Sequence, residues 1–214
     1  MKKCVLLFIL WFLPVFMFLL WPGFLPPLSA GDGSVKILIL GDSLSAGLGV
    51  EAEQAFPALI RDRLKQKGFN HVSLTNGSIS GSTTAGAVSR LKWFLRVQPD
   101  ILVLALGAND GLRGLSTGQM TQNLDKAIVL AKEKGIRVIL AGMKLPPNYG
   151  PEYAKAFEAV FASLAQKHDL SFIPFLLKDV AGIASLNQAD GIHPNAEGHK
   201  IIAATVFDCI LKQL

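Results

Sequence analysis

Cysteine is almost missing from this chain: Cys4 and Cys209 are its only two in 214 residues. Cys4 falls in an N-terminal apolar run, so a disulfide framework within the folded domain is not expected. Cys209 reads as a small apolar residue on the last helix. No His/Cys cluster has metal-ligand spacing, and both HExxH and paired CxxC are absent. No metal centre and no cofactor are therefore expected. The phosphate-loop pattern GxxxxGK[ST] is missing, as is the GxSxG nucleophile elbow. Gly47-Leu48-Gly49-Val50-Glu51-Ala52 matches a dinucleotide fingerprint only loosely. It starts too far past the first strand, and Asn76 stands where an acid should end the second. No long basic run is interleaved with aromatics. Lys2 and Lys3 supply two of the formal net charge of +5. The remaining surplus is mild, and nucleic acid is not an expected partner.

What the chain does have is apolar residues, 50% of the total, with much of the excess in the first thirty positions. Lys2 and Lys3 precede an uncharged stretch from Cys4 to Trp21, interrupted by Pro14. Pro22-Gly23, Pro26-Pro27 and then Leu28-Ser29-Ala30-Gly31 follow. A basic start, an apolar run and small residues at a cut site describe a secretory signal, with cleavage after Ala30. The run is also nearly long enough to span a bilayer, so an uncleaved membrane anchor is the second reading. Both place the rest of the chain outside the cytoplasm if the two lysines stay inside. The expected organisation is a signal peptide or anchor over 1–30, a linker over 31–34 and one domain over 35–214.

Within that domain, short apolar runs alternate with amphipathic stretches. Strands are expected at 35–40 (VKILIL), 72–74, 101–106 (ILVLAL), 136–141 and 172–175. Helices are expected at 56–67, 85–97, 117–134, 153–168 and 196–211. Phe56, Leu59, Ile60 and Leu64 face inward on the first of these, and Phe157, Val160, Phe161 and Leu164 on the fourth. Continuous apolar strands alternating with helices predict a five-stranded parallel sheet covered on both faces, a three-layer α/β/α sandwich. Ligands of such sheets bind beyond the carboxyl ends of the strands.

Four segments stand there. Gly41-Asp42-Ser43-Leu44-Ser45 follows the first strand, Asn76-Gly77-Ser78-Ile79-Ser80-Gly81 the second and Gly107-Ala108-Asn109-Asp110 the third. Asp190-Gly191-Ile192-His193-Pro194 lies near the C-terminus. Singly, each has an ordinary structural reading as a cap, turn or loop. Together they supply the parts of nucleophilic acyl transfer. A serine hydroxyl needs a base to take its proton, and His193 can accept that proton and return it to the leaving group. Asp190 can fix the imidazole tautomer. The backbone N–H groups of Ser43 and Gly81 and the side-chain amide of Asn109 suit a developing oxyanion. His71, His168 and His199 lack an acid placed as Asp190 is. Asp42 and Asp110 read as loop-holding acceptors.

GDSLS, the glycine of SISGST, GAND and DGIHP resemble the four signature blocks of the SGNH, or GDSL, hydrolase family. The resemblance runs in order from about residue 35 to 210. GDSLSAG, SISGST, GANDGLRG and LPPNYG further resemble the periplasmic subgroup with acyl-CoA thioesterase, lysophospholipase and arylesterase activities. The resemblance implies a flavodoxin-like fold, Ser43 as nucleophile, Gly81 and Asn109 as oxyanion donors, and Asp190 and His193 as the remaining pair. It implies a small-molecule acyl ester, thioester or lysolipid as substrate. Two alternatives stand beside it: a carbohydrate O-deacetylase of the same family, and a non-catalytic lipid- or carbohydrate-binding domain of the same fold.

Overall fold

The computed structural model describes residues 33–214. The leader expected over 1–30, with Cys4, lies outside the described residues. The elements run β1 (Val35–Gly41), α1 (Ser43–Ala46), α2 (Phe56–Gln66), β2 (Val72–Asn76), α3 (Ala87–Phe94) and β3 (Ile101–Ala105). They continue with α4 (Ala108–Leu112), α5 (Thr117–Glu133), β4 (Arg137–Ala141), α6 (Pro151–His168), β5 (Ser171–Ile173) and α7 (Ala196–Leu211). The five strands form one sheet in the order β2-β1-β3-β4-β5, and every pair is parallel. α2 packs with α7, and α5 packs with both α3 and α6. The sheet lies between the two groups, as expected for a three-layer sandwich.

The central strands are apolar along most of their length because helices cover both faces. All five residues of β3 are buried, whereas β2, at the sheet edge, includes exposed positions. Removing a buried leucine or isoleucine from such a core costs about 2–5 kcal/mol. On α2, Phe56, Ile60 and Leu64 are buried and Leu59 is partly covered. Phe157, Val160, Phe161 and Leu164 of α6 are all buried, and the Phe157 and Phe161 rings meet edge to face with centroids 5.4 Å apart.

The helix expected over 85–97 is shorter than its pattern. α3 is flanked by 3-10 turns at Thr84–Gly86 and Leu95–Val97, and Gln98 takes a left-handed φ of 52°. Pro99 disfavours helical backbone at the residue before it, which ends the helix there. The sequence pattern gives no sign of α1 and α4, since four or five residues are too few to show a helical period. Both begin directly beyond a strand and carry residues of the candidate site.

Candidate active site

The loops at the carboxyl ends of the strands converge on a cavity of about 500 Å³. Ser43, Asn109 and His193 line it, together with Leu112, Met143, Leu145, Phe175, Leu177 and Ile192. Its wall is therefore mostly apolar, with a hydroxyl, an amide and an imidazole at one side.

Ser43 is the first residue of α1, so its N–H has no partner within the helix. The preceding Asp42 caps that helix, its Oδ1 accepting the Leu44 N–H at 3.1 Å. Asp42 is buried to 1% exposure, and burial pushes its pKa up to about 6. Its other oxygen has no hydrogen-bond partner among the described residues. Gly41 admits the helix closely: a Cβ there would fall 2.3 Å from Ser45 Oγ.

His193 Nε2 lies 2.9 Å from Ser43 Oγ, and His193 Nδ1 lies 2.6 Å from Asp190 Oδ2. In the neutral imidazole with its proton on Nδ1, the ring donates to the carboxylate and accepts from the hydroxyl. Asp190 Oδ1 also accepts the backbone N–H groups of Ile192 at 2.9 Å and His193 at 3.0 Å. The His193 backbone N–H, then its ring, then the Ile192 N–H hold the Asp190 carboxyl down at a pKa of about 2. Asp190 thus stays ionised behind the ring. Gly191, with φ +70°, supplies the left-handed turn that folds acid and base onto one side of the loop.

The other two oxyanion candidates, besides the Ser43 N–H, stand on the segments after β2 and β3. Asn109, on α4, donates its side-chain amide to the Ser82 carbonyl at 3.1 Å, which leaves its second N–H for the cavity it lines. Gly107 at the start of α4 has φ +127°, and a Cβ there would meet the Phe161 ring at 2.9 Å. The turn that presents Asn109 is therefore seated directly on the core. Gly81 has φ +76°, which other residues rarely adopt, and its carbonyl accepts from Arg113 at 3.1 Å. Gly81 is exposed on its loop and is not part of the cavity wall, so the structure brings Ser43, Asn109 and His193 closer to one space than it brings Gly81.

Asp110 is a loop-holding acceptor, as expected: Oδ2 takes the Thr84 N–H at 2.9 Å and Oδ1 the Thr84 hydroxyl at 2.6 Å. Of the other histidines, His168 contacts Asp125 at 2.7 Å on the α5–α6 face. His71 is exposed. His199 is buried, its Nδ1 accepts the Phe56 N–H at 3.3 Å, and burial pulls its pKa down to about 4. It stays neutral as an acceptor at the start of α2. None of the three lines the cavity.

Two contributors are not legible in the sequence. Gln188 Nε2 donates to the Leu48 carbonyl at 2.7 Å and the Pro194 carbonyl at 2.9 Å. Arg90, on α3, reaches the loop that carries Gly81. Gln188 stands two residues before Asp190 in the same segment, and that nearness is the available signal. An arginine on an amphipathic helix offers none.

A profile of the GDSL-like Lipase/Acylhydrolase family matches residues 39–201. The chain is 43% identical over 159 residues to Esterase TesA of Pseudomonas aeruginosa, covering 74% of this chain and 79% of that one. It is 39% identical over 179 residues to Thioesterase 1/protease 1/lysophospholipase L1 of Escherichia coli K12, covering 83% and 82%. The crystal structure of a protein named TesA superposes with a TM-score of 0.80 at 39% identity, over 84% of this chain and 99% of that chain. With family blocks, parallel sheet and converging loops all in agreement, the chain belongs to the GDSL-like lipase/acylhydrolase family.

Proposed function

We propose that this acylhydrolase cleaves carboxylic esters and thioesters through an acyl-enzyme on Ser43. The observation that carries this reading is the unbroken contact from Ser43 Oγ to His193 to Asp190, at 2.9 and 2.6 Å. His193 takes the hydroxyl proton as Oγ attacks the carbonyl carbon, and Asp190 stabilises the imidazolium that forms. The Ser43 N–H, the Gly81 N–H and the Asn109 amide hold the oxyanion. The proton on Nε2 then passes to the leaving alcohol or thiol, and water repeats the sequence to release the acid.

The apolar wall of Leu112, Met143, Leu145, Phe175 and Leu177 suits an acyl chain, leaving the head of an aryl ester, acyl-CoA or lysophospholipid at the mouth. An acetyl group would fill little of that cavity, so the volume favours acyl-chain substrates over acetylated sugars. Ser43→Ala should abolish hydrolysis of aryl esters with the fold retained, and a fluorophosphonate should label Ser43 alone. Turnover by a folded Ser43→Ala chain, or an adduct on another serine, would remove this assignment.

Residues 1–30 form, in this proposal, a leader that sends the domain out of the cytoplasm, either cleaved after Ala30 or kept as a membrane anchor. The basic start and uncharged run support it.

A further inference from the structure

Behind the loop that carries Gly81, one cation meets three acceptors on two segments. Arg90 Nη1 donates to Ser82 Oγ at 2.7 Å and to the Gly41 carbonyl at 3.4 Å, and Nη2 donates to the Gly77 carbonyl. Gly41 ends β1 immediately before Asp42 and Ser43. Gly77 follows β2 and opens the 77–82 loop, and Ser82 closes it. The same loop is tied to the strand end by the Ile79 N–H, which donates to the Gly41 carbonyl at 3.2 Å. Ser82 in turn accepts the Asn109 amide through its own carbonyl. The guanidinium is half-buried, and burial lowers its pKa from the ordinary arginine value, yet an arginine remains cationic under all working conditions.

From this network we infer that Arg90 is a positioning residue of the oxyanion hole. Its planar fork fixes the 77–82 loop against the end of β1, and through Ser82 it sets the aim of the Asn109 amide as well as the Gly81 N–H. Two of the three proposed donors are thereby referenced to the strand that leads into the third, Ser43. An oxyanion hole works because its donors are already in place when charge develops, so a loop free to drift would lose transition-state stabilisation without losing substrate binding. Its positive charge behind the loop acts in the same direction. A lysine keeps the charge but lacks the rigid fork, so it cannot hold the Ser82 hydroxyl and the Gly41 and Gly77 carbonyls in the same fixed geometry.

The inference rests on the oxyanion roles proposed above. The test compares Arg90→Met and Arg90→Lys with the parent in the full chain, with Asn109→Ala in parallel. Three quantities are measured: kcat and KM on a p-nitrophenyl ester, affinity for an alkyl trifluoromethyl ketone, and affinity for the primary alcohol of equal chain length. The ketone forms a hemiketal oxyanion with the nucleophile, whereas the alcohol fills the cavity without one. Both Arg90 variants should lose about tenfold or more in kcat with KM within about twofold. Ketone affinity should fall by a similar factor, and alcohol affinity should hold. Parent-like ketone affinity in either Arg90 variant, while Asn109→Ala loses it, overturns the role of Arg90 alone. Equal weakening of ketone and alcohol shows a general structural part and overturns it too. Retained ketone affinity in Asn109→Ala instead sinks the oxyanion reading itself. If Arg90→Met does not fold, Arg90→Lys decides by the same measures.

Discussion

The side-chain amide of Gln188 donates to the carbonyl of Leu48 at 2.7 Å, and so ties the loop that carries the base to the turn that follows the nucleophile. The same nitrogen donates to the Pro194 carbonyl at 2.9 Å, and the Gln188 backbone N–H to the His193 carbonyl at 2.8 Å. A Cβ at Gly49 would fall 2.0 Å from Gln188 Oε1, so the two loops touch with no room for a side chain between them. The 2.9 Å approach of His193 to Ser43 spans 150 residues of sequence, and Gln188 is a direct brace across it.

Gln188→Ala should therefore lower kcat by about tenfold with little change in KM, because small displacements of a base are costly once reacting groups must lie within hydrogen-bond reach. Steady-state kinetics on an aryl ester, with a thermal melt to confirm folding, checks this. Unchanged kcat in a folded variant would show that the Asp190 loop holds itself in place.

Asn109→Ala removes a proposed oxyanion donor and should cost about 10²–10³ in kcat, with KM nearly constant if chemistry limits turnover. The amide also holds the Ser82 carbonyl, so part of the loss comes through the loop. Asn109→Asp should be at least as damaging, since a carboxylate repels the developing charge. Turnover within a few-fold of the parent in a folded Asn109→Ala chain would contradict the proposed hole.

Asp42 gives a pH signature of stability. Its pKa is raised from 3.8 to about 6, so the folded chain retains a proton that the unfolded chain releases in that window. The contribution of this group to stability falls as pH rises from about 4 to 6, and the cost of ionising it is complete above that. A pKa difference of this size corresponds to at most ~3 kcal/mol. Asp42→Asn keeps an acceptor for the Leu44 N–H and removes the ionisation. The variant should melt higher, relative to the parent, at pH 8 than at pH 4. Melting curves at the two values decide it, and an equal offset at both would place the titration elsewhere.

Fusing alkaline phosphatase after residue 34 should give activity only outside the cytoplasm, because the enzyme needs an oxidising compartment for its disulfides. The size of the mature band separates cleavage after Ala30 from a retained anchor. Activity confined to the inside would reject export.

The sequence by itself determined the layered fold and nominated the residues of the candidate site. The short apolar runs of β1 and β3 fit interior strands by their length and their alternation with amphipathic helices, which leaves few parallel arrangements, and both strands are buried along most of their length. Ser43 and Asn109 follow those strands closely, and Asp190 and His193 share one loop, so local order in the chain placed the first two at the strand ends and paired the last two. The approach of His193 to Ser43 across 150 residues came only with the fold. What only the tertiary structure decided lies in contacts between segments far apart in sequence. Arg90 reaches the Gly41 carbonyl across 49 residues and Gln188 the Leu48 carbonyl across 140. In each case the acceptor is a backbone carbonyl, which every residue carries, so no side-chain pattern marks it. The burial of Asp42 is likewise set by the packing of several loops around one carboxyl, and it raises a pKa that the residue type alone would leave low. Short α1 and α4 belong to the same class: four or five residues have no period to read, α1 is capped by Asp42, and α4 starts from a Gly107 turn that leaves no room for a side chain above the Phe161 ring.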